Sequence, residues 1–178
     1  MHRQQLEHII RAVAGITGAS EFVIVGSQAV LGQFPQAPDE LLVSIEADVF
    51  SLRDPADTDL IDGSIGEGSP FHQTFGYYAH GVSADTAVLP AGWQARLVPV
   101  RNENTGGGTG LCLEIHDLAV SKLVAGREKD VDFIGGLLRH RLVQVAVIRD
   151  RLSQTSLAAD RLQISFARLD RLVNALGS

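Results

Sequence analysis

Apolar residues recur at helical spacing near the start of the chain, where Leu6, Ile9, Ile10 and Val13 fall on one helix face. The stretch from Gly15 to Ser20 ends that helix. Phe22-Val-Ile-Val25 is a short apolar, β-branched run and predicts a buried strand. Gly26-Ser27 follow at once, and Gln28 to Gly32 predicts a short helix. Pro35, Pro38 and Asp39 mark a loop. From Leu42 to Phe50 the period becomes two. Val43, Ile45, Ala47 and Val49 alternate with Ser44, Glu46, Asp48 and Phe50. This predicts a strand with Ser44, Glu46 and Asp48 on one face and the apolar set on the other.

Asp57 to Ile65 reads as a helix that continues toward Phe75. Tyr77 to Leu89 reads as one or two strands. Pro90-Ala-Gly-Trp93 is a turn, with Trp93 as a plug under the sheet. Ala95 to Val100 predicts a further strand, and Pro99 places it at an edge. Asn102 to Gly110, rich in Gly and Asn, is a hairpin loop and the segment expected to be least ordered. Leu111 to Ile115 returns as a strand. From Asp117 the pattern is helical, with Asp117 as N-cap of Leu118 to Arg127. Further helices follow at Lys129 to Arg139, Arg141 to Gln154 and Leu157 to Leu176. The expected fold is α/β (α+β): a small mixed sheet in residues 1–116, with a helical C-terminal subdomain, 117–178, packed on it as one unit.

A chain of 178 residues fits one compact domain, and 45% hydrophobic with 20% charged residues is ordinary for a globular protein. The net charge of −6 argues against a generally basic, nonspecific nucleic-acid binder. It leaves room for a local basic patch, for which Arg127, Lys129, Arg139 and Arg141 are candidates. The lone Cys112 excludes an intrachain disulfide and a thiolate zinc cluster, and its leucine neighbours mark it as a buried thiol. Met1 to Ile10 lacks the apolar core of a signal peptide, and no run approaches the roughly 20 apolar residues of a membrane span. A cytoplasmic location without membrane contact is expected. His72, His80 and His116 show no metal-ligand spacing and read as ordinary residues.

The residues suited to chemistry are Gly26-Ser27 at one strand end and Glu46-x-Asp48 on the next strand. Carboxylates two apart on a strand project to the same side and offer hard oxygen ligands suited to Mg²⁺. Gly26 permits a close backbone approach to a phosphate, and Ser27 offers a hydroxyl donor. Together they suit attack at a phosphorus that carries negative charge.

Val23-Ile-Val-Gly-Ser27 and Glu46-Ala-Asp48 resemble the signature of the DNA polymerase β-like nucleotidyltransferase superfamily. Downstream, Glu114-Ile-His-Asp-Leu-Ala-Val-Ser-Lys-Leu-Val-Ala-Gly-Arg-Glu-Lys-Asp-Val-Asp132 resembles its bacterial toxin–antitoxin and phage-defence branch, the AbiEii-like and DUF6036-like members. Pro90 to Trp93 with Arg96-Leu97 is similar to the same branch, and the likeness spans roughly Phe22 to Phe133. The resemblance implies a Mg²⁺-dependent transfer of NMP from a nucleoside triphosphate to an RNA 3′ end, such as a tRNA, or to a protein hydroxyl. It implies a toxin role with a cognate antitoxin as partner. It assigns nucleotide phosphate contact to Lys122 and a second active-site role to Asp130, with Asp132 as its neighbour. Two departures stand out: Glu46 replaces an aspartate, and the third carboxylate has only Asp85 as a candidate.

Plainer readings exist for each residue. Lys122 fits a surface lysine on an amphipathic helix, and Asp130 with Arg127 fits an exposed ion pair of little consequence. At the level of the whole chain, the rivals are a nucleotide-binding domain without turnover and an interaction module built on the Leu157 to Leu176 helix. Such a leucine stripe more often packs into a core.

Overall fold

In a computed structural model describing residues 1–177, the chain forms a mixed five-stranded sheet, helices packed on it, and an all-helical C-terminal region. Helix α1 (Arg3–Thr17) buries Leu6, Ile9, Ile10 and Val13, and Gly18 closes it with a left-handed φ of 68°. Strand β1 (Glu21–Val25) follows, antiparallel to β2 (Glu46–Ser51) and parallel to β5 (Thr109–Cys112). β3 (Tyr78–Gly81) runs parallel to β2, and β4 (Val98–Val100) runs antiparallel to β5, giving the order β3-β2-β1-β5-β4. The central strand β1 is covered on both faces, which is why Phe22 to Val25 is apolar without alternation. Pro99 lies on the edge strand β4, where its missing N–H need not break the ladder.

Gly110 of β5 leaves space that Ile10 and Ile24 fill, since a Cβ there would come within 2.6 Å of both side chains. α3 (Asp57–Ile65) packs beside β3 in the same manner, with Thr58 against Gly81. On the opposite face, Trp93 is half-buried, edge-on to Phe50 of β2 with ring centres 6.3 Å apart. Cys112 is fully buried, and desolvation pushes its thiol up to about 12.

The strand expected from Leu42 begins only at Glu46. β1 leaves the sheet after the Val25–Asp48 pair, so Leu42 to Ile45 has no partner on that side, and on the β3 side only the Ile45 carbonyl is engaged, by the Tyr78 N–H at 3.1 Å. Ser44 instead bonds locally, its hydroxyl taking the Glu46 N–H at 3.2 Å, and the Gln28 amide donates to its carbonyl at 3.0 Å. Val43 and Ile45, expected on the buried face, are exposed. Between Tyr77 and Leu89 only Tyr78–Gly81 is strand, because the chain then turns through Ser83 and Thr86. Trp93–Arg96 is a 3-10 turn rather than the start of β4. The helix from Asp57 stops at Gly66, and a separate helix α4 (Pro70–Phe75) restarts from a Ser69 cap with Pro70 in its first turn. The glycine loop between β4 and β5 is tied down: Asn102 and Asn104 donate to the Glu7 carboxylate at 2.8 and 2.9 Å, and Thr105 is fully buried.

Helix α5 (Ile115–Ala125) starts before Asp117, and its cap is Glu114, which accepts from the His116 N–H at 3.0 Å. Burial pushes the Glu114 carboxyl up, but His116 and Arg151 more than offset this and hold it at about 2. Asp117 has a different task. It is fully buried and binds Arg96 through both oxygens, at 2.8 and 3.0 Å, and Arg151 at 3.0 Å. The cluster fastens α5 to α7 (Val145–Ser153) and to the turn before β4. Helix α6 (Glu128–Arg139) and helix α8 (Ala159–Leu176) complete the region. Leu169 of α8 is fully buried, with Leu162 and Leu172 packed against the core, so most of the leucine stripe serves intrachain packing.

Replacing Asp117 by Ala leaves two arginines without their buried carboxylate. The expected cost is about 3 kcal/mol, read as a lower urea midpoint at unchanged slope. An unchanged midpoint would show that water replaces the carboxylate without penalty.

Candidate active site

β1 delivers the chain to Gly26, whose φ of 69° and ψ of −173° belong to a region that only glycine occupies readily. A Cβ at this position would lie 2.1 Å from Asp48 Oδ2. Glycine is therefore required twice, for the backbone conformation and for the carboxylate that fills the space of a side chain. Ser27 then opens a 3-10 turn, Ser27–Ala29, which leads into the short helix α2 (Val30–Gln33). Ser27 lines the cleft, and its hydroxyl has no hydrogen-bonding partner among the described residues.

β2 places Glu46 and Asp48 on one side, as their spacing predicts, while Ala47 and Val49 between and beyond them are fully buried. The parallel neighbour β3 sets Tyr78 opposite Glu46 and His80 opposite Asp48. The Tyr78 hydroxyl donates to Glu46 Oε2 at 2.8 Å, and His80 Nδ1 lies 3.5 Å from Asp48 Oδ1. Burial, reinforced by the Glu46 charge, pushes the Asp48 carboxyl above its ordinary range, against the pull of His80 and Lys122. Burial, with the accepting Glu46, pushes the Tyr78 hydroxyl up as well. One oxygen from each carboxylate and one His80 nitrogen all lie within 4.8 Å of one another. Asp85 is not part of this group. It sits in an exposed turn, bonded to the Ser83 hydroxyl.

The facing wall comes from α5 and α6. Lys122 is buried rather than on the surface, its ammonium 3.0 Å from Asp130 Oδ1 and 4.7 Å from the Phe133 ring centre. Asp130 is fully buried and also accepts from Arg127 at 2.7 and 3.3 Å. The exposed Asp130–Arg127 pair of the plain reading is therefore a three-membered cluster, in which Asp130 and Lys122 are buried and only Arg127 is exposed. Burial lowers the Lys122 ammonium, although Asp130 and Asp48 pull it back up. Burial raises the Asp130 carboxyl, but the bonds from Arg127 and the nearby Lys122 prevail and keep it below its ordinary range. Asp130 does not line the cleft, whereas Asp132 does. Asp130 is thus placed to position Lys122.

Between the walls lies a cleft of about 1070 Å³, enough for a nucleoside triphosphate. Gly26, Ser27, Glu46 and Asp48 line one side, and Lys122, Arg127, Lys129 and Arg139 line the other. Of the four basic residues singled out in the sequence, only Arg141 is absent from it. Tyr78 and His80 join the site although the sequence reading does not single them out. Their alternate spacing in Tyr78-Ala-His80 repeats that of Glu46-Ala-Asp48, and this was the available signal.

Asp48 carries a folded pKa above its unfolded value, so its charge opposes folding once the pH exceeds the folded value. Asp48→Asn is expected to melt higher than the parent at pH 7. The advantage should shrink as the pH falls and vanish below the unfolded carboxylate range, near pH 4. Melting curves across that range test this, and a lower melting point at pH 7 would contradict it.

The family described as a nucleotidyltransferase of unknown function (DUF6036) matches residues 4–166, a span that includes the Gly26–Ser27 turn, both carboxylates of β2, and Lys122. No curated protein and no solved structure matches the chain. With the match covering most of its length and every wall of the cleft, the chain belongs to the DUF6036 nucleotidyltransferase family.

Proposed function

We propose that this protein transfers a nucleoside monophosphate from a nucleoside triphosphate to an acceptor hydroxyl, on an RNA 3′ end such as that of a tRNA or on a protein side chain. The observation that carries this reading is the single cleft in which Glu46 and Asp48 face Lys122 across the Gly26–Ser27 turn. The acceptor hydroxyl gives up its proton to solvent as its oxygen attacks the α-phosphorus in line, and the bond to pyrophosphate breaks. Negative charge grows on the phosphate oxygens, and a positioned cation with fixed donors lowers that barrier.

The donor set fits a divalent cation, Mg²⁺ in the reading from sequence. Two carboxylates converge with room for an ion between them. Such an ion supplies charge neutralisation at the triphosphate. The chain's own groups do the rest. Gly26 gives the Asp48 carboxylate its place beside the turn, and the Ser27 hydroxyl donates to a phosphate oxygen. Lys122 presents its ammonium to the nucleotide, and Asp130 with Phe133 fixes where that ammonium sits. Arg127, Lys129 and Arg139 form the basic rim that receives the rest of the triphosphate or an RNA backbone.

The resemblance to the toxin–antitoxin branch supports a toxin role with a cognate antitoxin. Growth arrest on expression of the wild type, absent with Asp48→Ala, is the expected result. A second reading, a nucleotide-binding domain without turnover, is favoured by one observation: among the described residues no third carboxylate joins Glu46 and Asp48.

Incubation with each α-³²P-labelled nucleoside triphosphate, Mg²⁺ or Mn²⁺ and total tRNA separates these readings. Transfer of label is expected from the wild type, with a loss of about 100-fold or more in Asp48→Ala. Label on the protein itself directs the acceptor search to protein hydroxyls. Bound nucleotide without transferred label overturns the enzyme and favours the binding domain.

A further inference from the structure

The geometry points to His80 as the third protein ligand of the Glu46–Asp48 cation site, which makes it a site for a first-row transition ion of the Mn²⁺ type rather than for Mg²⁺. This rests on the proposal that Glu46 and Asp48 hold a cation. It goes beyond it by naming a nitrogen ligand and the class of ion.

The register of the sheet carries the first part of the argument. β2 and β3 run parallel with Asp48 opposite His80, so the two side chains leave the same face side by side. The three ligand atoms lie within 4.8 Å of one another, and His80 Nδ1 is 3.5 Å from Asp48 Oδ1. Ligands about 2.1 Å from a common six-coordinate ion lie about 3 to 4.2 Å apart. Small side-chain adjustments therefore suffice to bring all three onto one ion.

The surroundings carry the second part. Apart from Asp48, the His80 ring has no hydrogen-bonding partner among the described residues. The Tyr78 hydroxyl holds Glu46 Oε2 at 2.8 Å and orients that carboxylate, as outer partners of metal ligands do. Lys122, the nearest cation on the opposite wall, is committed to Asp130. Among the described residues, no lysine or arginine forms an ion pair with Glu46 or Asp48.

The chemistry of the donors carries the third part. Mg²⁺ takes oxygen ligands and keeps several waters. An imidazole in place of one oxygen favours transition ions, whose nitrogen affinity exceeds that of Mg²⁺. Mn²⁺ accepts carboxylates and imidazole together, and it serves the same triphosphate chemistry.

Mn²⁺ binding to the full chain without nucleotide tests the assignment. Free Mn²⁺ is followed by electron paramagnetic resonance, with Mg²⁺ as competitor. The wild type is expected to bind Mn²⁺ at least about tenfold tighter than Mg²⁺. His80→Ala should weaken Mn²⁺ by about tenfold or more and leave Mg²⁺ nearly unchanged. Pulsed spectra of the bound ion should show ¹⁴N coupling in the wild type and none in His80→Ala. The His80 side chain is 52% exposed on an edge strand, so the variant is expected to fold. Equal Mn²⁺ affinity in wild type and His80→Ala, without ¹⁴N coupling, would overturn the role of His80 while leaving the carboxylate site intact. Absence of both ions from the wild type, as from Asp48→Ala, would remove the cation site altogether, and the proposed function with it.

Discussion

The contact between the Asp48 carboxylate and the bare backbone of Gly26 is the constraint on which the site depends. It exists because β1 pairs with β2 in one register, Ile24 against Val49 in the core and Val25 against Asp48 at the rim. A slip of one residue would turn Asp48 into the core and Val49 into the cleft. The unbroken apolar run of β1 and the alternation Ala47, Val49 secure that register. Once it is set, the parallel pairing with β3 places Tyr78 and His80 beside the carboxylates with no further specification.

The cleft separates two charged walls and pays for both in stability. Glu46 and Asp48 crowd like charge into a partly buried corner, and Lys122 is held as a desolvated ammonium. Each is tolerable because something nearby restrains it: Tyr78 and His80 on the acidic wall, Asp130 with Phe133 on the basic one. The Asp117 cluster is the counterpart away from the cleft. It fastens α5, the helix that carries Lys122, to α7 and to the turn before β4. Such tension is expected of a surface shaped to receive a charged ligand.

Several misreadings share one cause, the absence of a partner visible in the local pattern. Val43 and Ile45 alternate as strand residues do, yet no strand lies beyond Val25 for them to join. Asp117 has the composition of an N-cap, but Glu114 takes the cap because Asp117 is drawn inward by Arg96 and Arg151, distant in sequence. The Asn-Gly loop looked unstructured because its anchor, Glu7, lies in α1. Asp130 resembled half of an exposed pair because Lys122, its second partner, sits on another helix.

What the sequence determined by itself follows from local, periodic forces. The buried face of α1, the core strand β1, the turn at Gly26-Ser27 and the shared face of Glu46 and Asp48 are set by apolar spacing and by the backbone freedom of glycine. The order of these features along the chain was also enough to suggest the family. Tertiary structure decided what depends on contacts between distant segments. It brought His80 rather than Asp85 to the carboxylates, buried Lys122 on Asp130, and gathered Arg127, Lys129 and Arg139 on one rim. Sheet register and helix docking fix these distances, and residue spacing along the chain does not.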